Sequence, residues 1–216
     1  MSVRCFGKPP ESGMTLLDTV FGIAIFVLVF TGLFAGFRLA IGIIADSKAK
    51  TGALALVSKH MELLKSTPYD SLGTQGGIPS GSIPQTATTT LNVTRYTIRT
   101  LIQYVDQPQD GLGVADTNGI TADAKQAKVE VSWQDREIPK TLSAVTTLSP
   151  LGIESVAGGG TLRINVFDAL AAAVPAAQVR VENASLIPPV DVTTFTNSSG
   201  VVLFPGAASG GSYKIT

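Results

Sequence analysis

Residues 19–37 lie between Asp18 and Arg38 and carry no charge. A run of that length and apolarity matches the about 20 residues with which a helix crosses the hydrocarbon core of a bilayer. After Arg38 the apolar text resumes as "LAIGIIA" (39–45), so a single membrane-spanning helix is expected over 16–45. A secretory signal has a core of about 7–15 residues followed by a small-residue cleavage site. This run is longer and no such site follows, so the segment is expected to stay attached to the mature chain. Within it Gly32 and Gly36, in "GLFAG", form a small-xxx-small spacing that lets helices approach closely, and both are candidates for helix packing.

Asp18 stands at the mouth of this segment. A charge at the centre of a bilayer costs about 2.5–3.5 kcal/mol on insertion scales, and one retained at the start of a span usually has a partner. A carboxylate in the first turn of a helix is also favoured by the helix macrodipole. The local sequence offers no obvious basic partner. The 13 residues "MSVRCFGKPPESG" form a short polar leader with Arg4 and Lys8, whose character favours an N-terminus inside the cell; the charges flanking the span give no strong positive-inside bias. Cys5 is the only cysteine, so no intrachain disulfide can form. Across the chain 16 Lys+Arg balance 16 Asp+Glu, and no nucleic-acid partner is expected.

The residues around Asp18 resemble the processing site of type IV prepilins and pseudopilins, whose usual pattern is Gly, a hydrophobic residue, Thr, Leu, any residue, then Glu. Gly13, Met14, Thr15, Leu16, Leu17 and Asp18 fill those places in order. The departure is Asp for Glu, which keeps the charge and shortens the reach by one methylene. The resemblance implies a leader over 1–13, cut after Gly13 on the cytoplasmic side by a prepilin peptidase/N-methyltransferase, with Met14 as the mature, methylated N-terminus. It further implies that Asp18, together with Thr15 and Leu16, serves assembly with other pilin subunits. In that family the carboxylate is thought to pair with the N-terminal amine of a neighbour.

Helical periodicity continues beyond the span to about Ser66, with Leu54, Val57, Met61 and Leu64 as one stripe and Ala53, Leu56, His60 and Leu63 beside it. Pro68 ends the helix. A helix over 14–66 would be about 80 Å long, more than a bilayer needs, so its second half is expected to pack on a sheet. The stretch "HMELLKSTPYDSL" resembles minor pilins of the pilus-modification group. Residues 73–90 read as a Gly/Pro/Thr-rich loop. Strand alternation follows at 96–105, 127–133 and 140–149, giving a three-stranded antiparallel head within 67–150. Between the first two strands Asp106, Asp110, Asp116, Asn118 and Asp123 are weak calcium candidates, because the spacing lacks the bidentate Glu of a complete EF-hand loop.

Residues 151–160, "LGIESVAGGG", read as a linker, and 161–216 as short strands separated by turn residues, the pattern of a small β-sandwich. This part resembles carboxypeptidase-regulatory-like and related Ig-like modules through Val166-Phe167-Asp168, Pro175 to Val181, Thr196 to Val201, Phe204, Gly206 and Gly211-Ser212-Tyr213. Such modules usually continue past a Gly-x-Tyr strand, so a truncated module is expected. The fold class read from the sequence is therefore α+β, a long helix packed on a small antiparallel sheet and followed by a β module.

The function that follows is a minor type IV pilin or pseudopilin-like subunit. It would sit in the cytoplasmic membrane with its N-terminus inside, then in a pilus, pseudopilus or cell surface, displaying the β module to a surface protein or carbohydrate. The alternative is an unprocessed single-pass adhesin. No enzymatic role and no cofactor are expected, since the chain holds one His, one Cys and no Gly-x-Ser-x-Gly motif.

Overall fold

A computed structural model describes residues 15–109, 111–115, 122–135, 138–151, 159–209 and 212–216. The architecture is α+β, a single long helix followed by antiparallel sheets. Helix α1 (Leu16–Ser66) runs for 51 residues. The chain divides into two compact units, Met1–Lys48 and Ala49–Thr216.

In the first unit every large apolar side chain from Leu16 to Ile44 is at least 52% exposed. This part of α1 is long and apolar enough to cross a membrane.

In the second unit the remainder of α1 buries Ala49, Ala53, Val57 and Leu64, with Leu56 and Met61 partly covered. Spacings of four and seven residues keep the four buried positions on one face. They pack on β1 (Thr86–Leu91), β2 (Thr94–Val105), β3 (Ala124–Asp135) and β4 (Ile138–Leu148), an antiparallel sheet in that order. Alternation along the strands sends Tyr96, Ile98 and Ile102, then Ala127, Val129, Val131 and Trp133, toward the helix. The stripe differs from the expected one. Leu54 and Leu63 are 57% and 50% exposed, while Ala49, Gly52 and Ala53 join Val57 and Leu64 in the contact. The small residues leave room for Tyr96, whose hydroxyl donates to the Ala49 carbonyl at 2.9 Å. A Cβ at Gly52 would lie 2.6 Å from that hydroxyl, so a larger residue there cannot be accommodated without movement.

Reading 73–90 as a loop needs correction, because β1 occupies its end. Thr86, Thr88, Thr89 and Thr90 are β-branched residues that suit a pleated surface, and the strand pairs with β2 in register from Thr86↔Arg99 to Leu91↔Thr94. The sheet thus has four strands rather than three. The rest of the segment is also more than a connection. Its backbone closes on itself through Thr74 N–H to the Pro79 carbonyl, Gln75 N–H to the Ile83 carbonyl and Gly81 N–H to the Thr74 carbonyl. That closure points two apolar side chains into two different cores. Ile83 joins the helix–sheet core, and Ile78, 3% exposed, joins the core of the C-terminal strands.

Those strands form two small sheets. β5 (Gly160–Asn165) pairs with β8 (Val201–Ala207), and β6 (Gln178–Asn183) lies between β7 (Val190–Phe195) and β9 (Lys214–Ile215). Ile164 and Val202 from the first sheet and Val179 and Val181 from the second meet in one core with Ile78. Turns between the strands are tied by side-chain oxygens: Asp168 accepts from the amides of Leu170 and Ala172, and Asn197 from those of Ser199 and Val201. The C-terminal strands also bond to the segments before and within β2. Thr193 N–H donates to the Gly76 carbonyl at 2.7 Å, Gln85 Nε2 to the Thr193 carbonyl at 3.1 Å, and Gln103 Nε2 to the Phe195 carbonyl.

Candidate assembly helix

At the start of α1, Thr15 and Asp18 form a reciprocal cap. Thr15 donates its backbone N–H and its hydroxyl to Asp18 Oδ2 at 3.1 and 2.7 Å, and Asp18 N–H donates to Thr15 Oγ1 at 3.3 Å. This is a capping-box arrangement with Asp in the place usually held by Glu or Gln. The shorter carboxylate therefore folds onto its own helix end. Both contacts to the carboxylate use Oδ2; among the described residues Oδ1 accepts no hydrogen bond. Leu16 opens the helix at 85% exposure. Gly13 and Met14 lie outside the described residues.

Along the exposed half of the helix, polar side chains are few. Thr31 Oγ1 lies 2.9 Å from the carbonyls of both Val27 and Leu28, which satisfies a hydroxyl that would be orphaned in lipid. Gly32 and Gly36 share a face, and a Cβ at either would meet nothing within 4 Å, so the groove they make is open to another helix. Arg38 carries the only charge between Asp18 and Asp46. His60, half-buried on the second half of α1, is held below the ordinary imidazole range by burial first and by the neighbouring Lys59 second.

Of the calcium candidates, Asp110, Asp116 and Asn118 fall outside the described residues. Asp106 Oδ2 accepts from Gly113 N–H at 2.8 Å and lies 3.9 Å from the Arg163 guanidinium. Asp123 Oδ2 accepts from Gln107 N–H. Among the described residues no three His, Cys, Asp or Glu side chains converge, and the Arg163 charge beside Asp106 opposes a second cation there.

The sequence reading missed a groove. It has a volume of about 390 Å³ and lies between the outward face of the four-stranded sheet and the C-terminal strands, lined by Gln85, Arg99, Lys128, Glu130, Gln178 and Phe195. The Arg99 guanidinium stands 5.2 Å from the Phe195 ring centroid. Alternation along β2 and β3 identifies Arg99, Lys128 and Glu130 as outward-facing, but only the folded position of β7 brings Phe195 to them. Amide, cationic, anionic and aromatic groups lining one groove suit a polar ligand with an apolar face.

No family model, curated protein or solved structure matches the chain.

Proposed function

We propose that this chain is a minor type IV pilin or pseudopilin-like subunit. It is cut after Gly13 by a prepilin peptidase/N-methyltransferase, methylated at Met14, held in the cytoplasmic membrane by residues 16–45 with the N-terminus inside, and then packed by α1 against other pilin subunits. The observation that carries the reading is the division of one continuous helix. Its second half buries Ala49, Ala53, Val57 and Leu64 on a sheet, while its first half leaves every large apolar side chain from Leu16 to Ile44 exposed, with a carboxylate at its start. Such a surface needs lipid before assembly and neighbouring helices after it. The C-terminal strands are then a displayed β-sandwich of the carboxypeptidase-regulatory-like kind, with the Arg99–Phe195 groove facing a surface protein or carbohydrate. The module has a binding role and carries no peptidase chemistry.

A second reading, an unprocessed single-pass adhesin, draws support from the Thr15–Asp18 cap, which gives the carboxylate a partner within its own chain. The mass of the N-terminus separates the two. Co-expression with a prepilin peptidase is expected to yield a chain beginning at methylated Met14, and replacing Gly13 by a bulky residue is expected to block the cut. A chain beginning at Met1 in both cases overturns the pilin reading in favour of the adhesin.

A further inference from the structure

Resting on the pilin reading, we infer that Asp18 of one copy pairs with Arg38 of a neighbouring copy, whose parallel helix is offset by 20 residues. Asp18 and Arg38 are the only charges between residues 18 and 45. They stand 20 positions apart on one continuous helix, about 30 Å along its axis at 1.5 Å per residue. That is also the thickness of the bilayer's hydrocarbon core. In the membrane, therefore, the two charges reach opposite interfaces and neither sits in hydrocarbon.

The same spacing sets the register of docking. When one copy is drawn out of the membrane by the depth of the core, its Asp18 comes level with Arg38 of a copy still embedded. Copies at equal height cannot make this contact, because like positions then face each other. An antiparallel pair is excluded, since all copies insert with one orientation.

Three features of the chain fit this offset. Asp18 Oδ2 is held by Thr15 while Oδ1 accepts no hydrogen bond among the described residues, so a guanidinium can bind without breaking the cap. Gly22 and Gly42 also stand 20 positions apart, each one helical turn beyond the paired charge and on its face, so the backbones can close where the side chains meet. A Cβ at Gly22 would meet nothing within 4 Å. The offset also sets Ile25 against Ala45, a large side chain opposite a small one. The occupant of this face is thus a second copy of the chain, recognised by charge complementarity.

The test uses full-length chains carrying Cys5→Ser in a pilus-assembling host, two differently tagged copies being co-expressed. With Gly22→Cys in one copy and Gly42→Cys in the other, oxidation of the sheared surface fraction is expected to give at least tenfold more cross-tag dimer than Gly22→Cys in both. Separately, Asp18→Lys and Arg38→Glu alone are each expected to reduce the amount of this chain in the sheared surface fraction at least tenfold, and the double variant is expected to restore at least half. Filaments that contain chains beginning at Met14 but cross-link best between equivalent positions, or a double variant that restores nothing, overturn the pairing and leave the pilin reading standing. Chains that begin at Met1 and never reach the sheared fraction overturn both.

Discussion

At Gly52 the distance between helix and sheet turns on a single methyl group. An exposed Gly→Ala change in a helix interior is normally worth up to about 1 kcal/mol of added stability. Here the new Cβ would lie 2.6 Å from the Tyr96 hydroxyl, and Tyr96 is 1% exposed, so the ring has nowhere to go. Gly52→Ala is therefore expected to destabilise the full chain in detergent by about 1–3 kcal/mol. Tyr96→Phe alone is expected to cost about 1 kcal/mol through the lost bond to Ala49. The two changes together should cost less than their sum, because removing the hydroxyl removes the clash, and a double-mutant cycle by thermal melting measures that difference. His60 provides a pH test at the same scale. Burial lowers its folded-state pKa below the ordinary 6.5, so the unfolded chain binds the proton more readily. Stability is expected to be full above pH 6.5 and to fall as pH drops through that value toward the lowered one. His60→Gln should remove that slope in urea titrations between pH 7.5 and 5. The Thr15–Asp18 contact was legible in the sequence, where a Thr and an Asp three residues apart open an apolar run. Gly52 was not, since a glycine among alanines looks like weak helix until the tyrosine that it admits is placed.

Among the elements, α1 was the most legible. Apolar length, helical period and Pro68 bounded it, and the structure ends it at Ser66. β1 was hidden because its threonines sit in a tract rich in turn formers, and pairing with β2 decides its state. The turn between those strands breaks a local preference. Asn92 and Val93 both have positive φ, 49° and 71°, as a two-residue hairpin of the mirror-image type requires. Asn tolerates that region and a β-branched residue does not. Val93 is 98% exposed, so its side chain returns no packing for the strain. Val93→Gly is accordingly expected to raise stability by about 1 kcal/mol, read as an increase in the denaturation midpoint with an unchanged slope. The preceding segment should respond in the opposite direction. A Cβ at Gly73 would lie 2.3 Å from the Ser80 carbonyl oxygen, against backbone that is itself hydrogen-bonded. Gly73→Ala is expected to cost more than Gly76→Ala, where φ is +66° but nothing stands within 4 Å. The contrast between the two melts separates crowding from backbone strain.

For the whole molecule, sequence pattern found most of the C-terminal strands but not what they lean on, because partners outside a strand leave no period in it. Residues 151–160 read as a linker, yet Ala49–Thr216 forms one compact unit in which Ile78 enters the core of Ile164, Val179, Val181 and Val202. Ile78 belongs to the same closed segment as Ile83, and Ile83 lies in the helix–sheet core. The segment therefore couples two cores through its backbone, and loosening one end should be felt at the other. Ile78→Ala removes a buried side chain and is expected to cost about 2–5 kcal/mol. The chain has a single tryptophan, Trp133, which lies in the helix–sheet core and is absent from the one Ile78 fills. If the unit unfolds as one, Ile78→Ala lowers the midpoint read by Trp133 fluorescence as much as that read by proteolytic release of the C-terminal strands. An unmoved fluorescence transition beside an earlier cleavage would mean that the two cores melt separately, and that the Gln85, Gln103 and Thr193 hydrogen bonds do not join them into one cooperative unit.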